Sequence, residues 1–220
     1  MNAPPPTGPS SDEPSSDEPL SEDSHAGERC RVALLLIDFV NDLDFPDGEE
    51  LRPHAEAAAK NAAALKRQAR AAGVPIVYVN DNFGRWRSDF SATLAHATRD
   101  GSRGKRLTET IAPDDDDYFV LKPRHSGFYR TVLEELLGDL GADTLVLCGL
   151  AGNICVQMTA HDALLRNYRV IVPRDAVASN RPELNAAALE QMRLVCKADV
   201  PAAAEVDFES LKHDRREACS

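Results

Sequence analysis

The sequence lacks several features that mark large protein classes. It contains neither a GxGxxG turn nor a GxxxxGK[ST] loop, so the usual signs of dinucleotide or nucleoside triphosphate binding are missing. No run of about eighteen apolar residues occurs, and nothing reads as a membrane span. The five cysteines (Cys30, Cys148, Cys155, Cys196 and Cys219) are odd in number and form no CxxC pair. That argues against a zinc site, a redox dithiol or a disulfide framework, and it points to reducing cytoplasm. Basic side chains are in deficit, with 25 Lys and Arg against 36 Asp and Glu and a net charge of -11. Such a balance argues against nucleic acid or an anionic membrane surface as a partner.

Much of the charge is local. Residues 1–28 hold seven acidic and no basic side chains, together with six prolines and six serines, which leaves -4 of the -11 for residues 29–220. This stretch has too little apolar surface to offset its ordering entropy and reads as a disordered acidic tail. It has no basic start or apolar middle and is not a signal peptide. Residues 29–208 are expected to form one domain, and residues 209–220 a charged C-terminal tail.

Within that domain, strand and helix patterns alternate. Val32–Ile37 is a continuous apolar run, the mark of a strand buried on both faces. Further strands are expected at Ile76–Val79, Tyr118–Leu121, Thr144–Cys148 and Tyr168–Val172, with a last short one within Asp199–Val206. Helices are expected at Glu49–Ala72, near Ser88–Thr98, and at Tyr129–Leu140, Ile154–Arg166 and Glu183–Val195. Alternation of this kind implies βαβ units with right-handed crossovers. The fold class is therefore α/β: a three-layer α/β/α sandwich, Rossmann-like in topology, around a mostly parallel sheet of about six strands.

In such sheets ligands bind beyond the carboxyl ends of the strands. Asp38 follows strand one, Asn80 and Asp81 follow strand two, Lys122 follows strand three, and Cys155 lies just past strand four. Cys155 also falls where a buried strand turns into a helix, a place that favours a thiolate. Each residue has a structural reading: core thiol, turn cap, surface lysine. Their joint placement favours a site. Asp38 would take the thiol proton as general base, and Lys122 would supply a nearby cation. Backbone N–H groups of Ala151 and Cys155 would form the oxyanion hole.

Three segments carry a family resemblance: Leu34-Leu35-Leu36-Ile37-Asp38-Phe39-Val40-Asn41-Asp42, Leu121-Lys122-Pro123-Arg124-His125-Ser126-Gly127-Phe128, and Gly149-Leu150-Ala151-Gly152-Asn153-Ile154-Cys155-Val156. They resemble the signature blocks of the isochorismatase-like cysteine hydrolases, over roughly residues 30–205. The resemblance implies an Asp38–Lys122–Cys155 triad and a cis peptide at Leu150–Ala151. It also implies self-association as a dimer or tetramer.

The departures narrow the expectation. Members that hydrolyse the vinyl ether of isochorismate typically lack the cysteine, whereas Cys155 is present here. Nicotinamidases carry Asp-x-His after strand two. Here the segment reads Asn80-Asp81-Asn82-Phe83, with no histidine between His54 and His96, so no catalytic metal and no cofactor are expected. Val40 stands where the family often has Gln. Phe39, Asn82, Phe83, Trp86, His125 and Phe128 are candidate substrate contacts by position, and Trp86 is equally a candidate subunit contact. His161, Asp175, Cys148 and Cys196 read as structural. The expected function is hydrolysis of a C–N bond in a small amide, ureide or lactam through a Cys155 thioester. The alternatives are a vinyl ether hydrolase, a nicotinamidase, or a non-catalytic small-molecule binder.

Overall fold

A computed structural model describes residues 29–83 and 89–214. Its elements, in chain order, are β1 (Val32–Ile37), α1 (Gly48–Ala71), β2 (Ile76–Asp81), α2 (Phe90–Thr98), α3 (Lys105–Thr110), β3 (Tyr118–Lys122), α4 (Leu133–Leu140) and β4 (Thr144–Leu150). After a π-helical turn at Gly152–Val156 come α5 (Gln157–Leu165), β5 (Arg169–Ile171), β6 (Val177–Ala178), α6 (Pro182–Val195) and α7 (Phe208–His213). The strands form one parallel sheet in the order β3-β2-β1-β4-β5, and β6 pairs with the end of β4 beyond β5. The chain is thus a three-layer α/β/α sandwich.

Side-chain alternation along β1 explains the two cores. Val32, Leu34 and Leu36 point to one face, where they meet the buried alanines Ala55, Ala58, Ala59 and Ala62 of α1. Those alanines recur at spacings of three and four, the stripe of a helix lying on a sheet. Ala33, Leu35 and Ile37 point to the other face, against Leu133 and Leu137 of α4, Ala160 and Ala163 of α5, and Ala188 and Met192 of α6. The helix α4 closes on Gly141 at φ 73°, a left-handed cap suited to glycine.

Some expectations need correction. The segment Asp199–Val206 forms no strand; Asp199 makes a single parallel bridge to Ile171, and the sixth strand is Val177–Ala178. Residues 129–132 precede α4 rather than joining it. The boundary at 208 falls inside α7, which is docked by buried Phe208 and by Lys212 donating to the Ala72 carbonyl. Asp175 does act structurally, its Oδ1 accepting from the Ala203 N–H at 2.7 Å.

Candidate active site

Three groups converge at the carboxyl edge of the sheet. Lys122 closes β3, and its Nζ lies 2.8 Å from Asp38 Oδ2 and 3.6 Å from Cys155 Sγ. It is also 3.7 Å from Asp81 Oδ2. Lys122 is fully enclosed, at 0% exposure, while Asp38 keeps 5% and Cys155 8%. A buried ammonium is tolerated only with such partners.

The backbone explains how each group is aimed. Asp38 sits at φ 54°, a left-handed conformation that Asp adopts more readily than most residues. Its N–H still donates to the Val79 carbonyl, and its Oδ1 accepts from the Asp81 N–H at 2.7 Å. The carboxylate is thereby fixed by β2 on one side and Lys122 on the other. Cys155 is delivered by the π-helical turn, where the Ala151 carbonyl accepts from both Ile154 and Val156. The peptide Leu150–Ala151 is cis, at the position the resemblance implies.

Two glycines make this turn possible. Gly149, at φ 147°, lies so near β1 that a Cβ would stand 2.2 Å from the Ile37 carbonyl oxygen. A Cβ on Gly152 would stand 2.0 Å from Asn185 Oδ1. Asn185 in turn accepts from Ser179 Oγ, which itself accepts from the Asn153 N–H. The loop after β3 is laced to the same helix. Gly127 N–H donates to Thr159 Oγ1, Thr159 donates to the Cys155 carbonyl at 2.7 Å, and Ser126 pairs with Asp162. The lysine and the thiol are therefore held in one rigid unit.

The three groups shift one another's ionisation. Burial pushes the Cys155 thiol well up, the Asp38 carboxylate adds to the rise, and Lys122 offsets only part of it. Burial likewise raises the Asp38 carboxyl, against the pull of Lys122 and of hydrogen bonds from Cys155 and the Asp81 N–H. Burial penalises the Lys122 ammonium, but the charges of Asp38, Cys155 and Asp81 outweigh it, and its pKa is raised. Asp38 thus carries a carboxyl of raised pKa hydrogen-bonded to the Cys155 thiol.

The other candidates divide. His125 is exposed, and its Nδ1 lies 3.8 Å from Cys155 Sγ. It stands on the wall of a cleft of about 570 Å³, which Arg124, Tyr129, Asn153, Met158 and His161 also line. His161, read as structural, does donate from Nδ1 to the Gln157 carbonyl, yet its ring faces this cleft too. Phe39 is fully enclosed in the core beside α1 and has no surface to offer a substrate. Phe128 is turned into the opposite core, 5.7 Å from the Tyr168 ring and under the Arg166 guanidinium. Asn82 is buried with its N–H on the Lys122 carbonyl, and Phe83 is exposed at φ 50°. Trp86 lies outside the described residues. Sequence position missed Arg124, Asn153 and His161 as cleft residues; their i to i+8 spacing along one helical stretch was the available signal for the last two. Among the described residues no cluster of His, Cys, Asp and Glu is arranged to hold a metal ion, and no helix is long and apolar enough to cross a membrane.

A parallel three-layer sandwich with a carboxylate, an ammonium and a thiol meeting at its carboxyl edge defines the class: an α/β protein with a buried polar cluster at the strand ends. The chain belongs to the isochorismatase family, whose domain matches residues 32–205. It is 40% identical over 168 residues to the uncharacterized isochorismatase family protein YaaI of Bacillus subtilis, covering 76% of this chain and 92% of that one. It is 30% identical over 164 residues to maleamate amidohydrolase of Pseudomonas putida, covering 70% and 75%. Among solved structures, N-carbamoylsarcosine amidase from Thermoplasma acidophilum superposes with a TM-score of 0.61 at 33% identity, over 80% of this chain and 99% of that one.

Proposed function

We propose that this chain hydrolyses a carbon–nitrogen bond of a small amide, ureide or lactam through a covalent Cys155 thioester. The observation that carries the reading is Lys122 Nζ lying within contact of both Asp38 and Cys155 in a nearly closed site. Relatives named as an amidohydrolase and an amidase support the bond type.

In the first half-reaction Asp38 takes the proton from Cys155 as sulfur attacks the carbonyl carbon. The C–S bond forms and the carbonyl oxygen becomes an oxyanion, which the N–H groups of Ala151 and Cys155 receive. As the tetrahedral species collapses, Asp38 returns the proton to the leaving nitrogen and the C–N bond breaks. Water then adds to the thioester and gives its proton to Asp38. The C–S bond breaks, the acid departs and the proton returns to sulfur. Lys122 remains charged throughout and keeps Asp38 oriented. His125, on the cleft wall and near Cys155, is assigned to substrate contact, and Asn82 and Phe83 are assigned to it by their position after β2. Self-association as a dimer or tetramer belongs to the same reading. In this mechanism no cofactor or metal takes part.

Intact-mass spectrometry during turnover of a primary-amide and ureide panel tests this. An acyl adduct on wild type, lost in Cys155→Ala together with ammonia release, is the expected result. Unchanged turnover in that variant would sink the mechanism.

A further inference from the structure

The carboxyl edge of the sheet holds a second carboxylate that the proposed mechanism does not use. Asp81 closes β2 and is the register partner of Lys122 across β2 and β3, so the two side chains leave the sheet on one face. Its Oδ2 lies 3.7 Å from Lys122 Nζ. Its Oδ1 accepts from the Phe83 N–H at 2.6 Å, which fixes the carboxylate in a tight turn with its other oxygen toward the ammonium. Its backbone N–H donates to Asp38 Oδ1 at 2.7 Å. One residue thus touches both members of the Asp38–Lys122 pair. Its side chain is 29% exposed, where those of Lys122 and Asp38 are 0% and 7% exposed.

Charge moves through this cluster as the proposed reaction proceeds. At rest the carboxylates of Asp38 and Asp81 both face the Lys122 ammonium, and Cys155 Sγ lies 3.6 Å from it. His125 stands beyond the sulfur, with Nδ1 3.8 Å from Sγ. Once sulfur has attacked, the thiol's proton is on Asp38, sulfur is bonded to carbon, and the negative charge is on the former carbonyl oxygen. Asp38 is then neutral. Among the described residues, Asp81 is the carboxylate still in contact with Lys122. An enclosed ammonium without a charged partner is strongly disfavoured. Burial already works against the charge of Lys122, and Asp81 is one of the three groups that offset it, after Asp38 and Cys155.

We infer that Asp81 is a positioning residue: it is the lasting counter-ion of Lys122 and holds the ammonium in place while Asp38 carries the thiol's proton. The inference rests on the proposed thioester chemistry and adds a residue to it. Asparagine at this position keeps an acceptor for the Phe83 N–H and loses the charge, so it separates the two roles of the side chain. The bond to Asp38 comes from the backbone and is common to every variant.

The test uses the full chain and those primary amides and ureides of the panel that wild type turns over, with ammonia release followed as kcat and KM separately. Asp81→Asn should lower kcat about tenfold and leave KM within about twofold of wild type. Asp81→Glu should recover part of the loss. Asp81→Ala should lose at least as much as Asp81→Asn. Sodium formate, at constant ionic strength, should restore its kcat in a saturable way, because a soluble carboxylate can reach the partly exposed position. Urea unfolding of each variant separates lost activity from lost fold. Wild-type kcat in Asp81→Asn overturns this inference and leaves the thioester reading standing if Cys155→Ala is inactive. A loss that neither Asp81→Glu nor formate reverses makes the side chain a turn element only and also overturns it. Wild-type turnover in Cys155→Ala, or a panel in which no compound releases ammonia, removes the thioester reading and this inference with it.

Discussion

At the scale of single residues, the proposed mechanism divides labour between a carboxylate, an ammonium and a thiol that share one small volume. Asp38 must be ionised to accept the proton, so kcat/KM should fall as pH drops through its pKa. Because burial raises that pKa, the acid limb should lie above the ordinary aspartate value of about 4. Lys122 has its own pKa raised, so the alkaline limb should not come from loss of its proton until pH exceeds about 10.4. A pH–rate profile checks both limbs; an acid limb at or below pH 4 contradicts the assignment of Asp38 as base. Alkylation gives a separate check. With the thiol pKa pushed up, carbamidomethylation of Cys155 at neutral pH, read by peptide mass, should be no faster than for an ordinary thiol and should keep rising with pH. A plateau below pH 6 would mean a preformed thiolate. Lys122→Met removes one partner of a buried pair and leaves Asp38 uncompensated, which should cost about 3–5 kcal/mol in urea unfolding as well as activity.

At the scale of elements, the site depends on how β4 ends. Gly149 is pressed against Ile37 at a φ that L side chains rarely adopt. Gly149→Ala should therefore destabilise by about 2–4 kcal/mol, measured by thermal or urea unfolding. The five longer strands and the helices from α1 to α6, α3 excepted, were legible in the sequence, because apolar runs and glycine stops mark them directly. Three pieces were not. Helix α3 has six residues and too short a pattern to show a period. Strand β6 has two residues, and its pairing with Leu150 depends on β4 running on past Cys148. The π-helical turn at Gly152–Val156 is set by the close approach at Gly149 and Gly152, which only coordinates reveal. The same reason explains Phe39 and Phe128. Nearness along the chain to Asp38 and Lys122 was visible, but which face each ring would take was not, and each went to a core. The positions of Asp38, Lys122 and Cys155 were legible because a parallel sheet gathers its strand ends on one edge whatever the loops do.

At the scale of the whole molecule, several apolar side chains are left exposed on the surface. Val132 is 64% exposed and Leu165 76% exposed, and Met158 and Tyr129 stand on the cleft wall itself. Light scattering at micromolar concentration is expected to report a dimer or tetramer, and Val132→Glu with Leu165→Glu is expected to shift the chain toward monomer. A monodisperse monomer in the unsubstituted protein would remove that expectation. A last consequence follows from the complete enclosure of Lys122 behind Asp38 and Cys155. Amine-reactive esters should modify the lysines at the protein surface and pass this one by. Acylation at Lys122 would then serve as a readout of opening: labelled protein would report the fraction of molecules whose edge of the sheet had come apart.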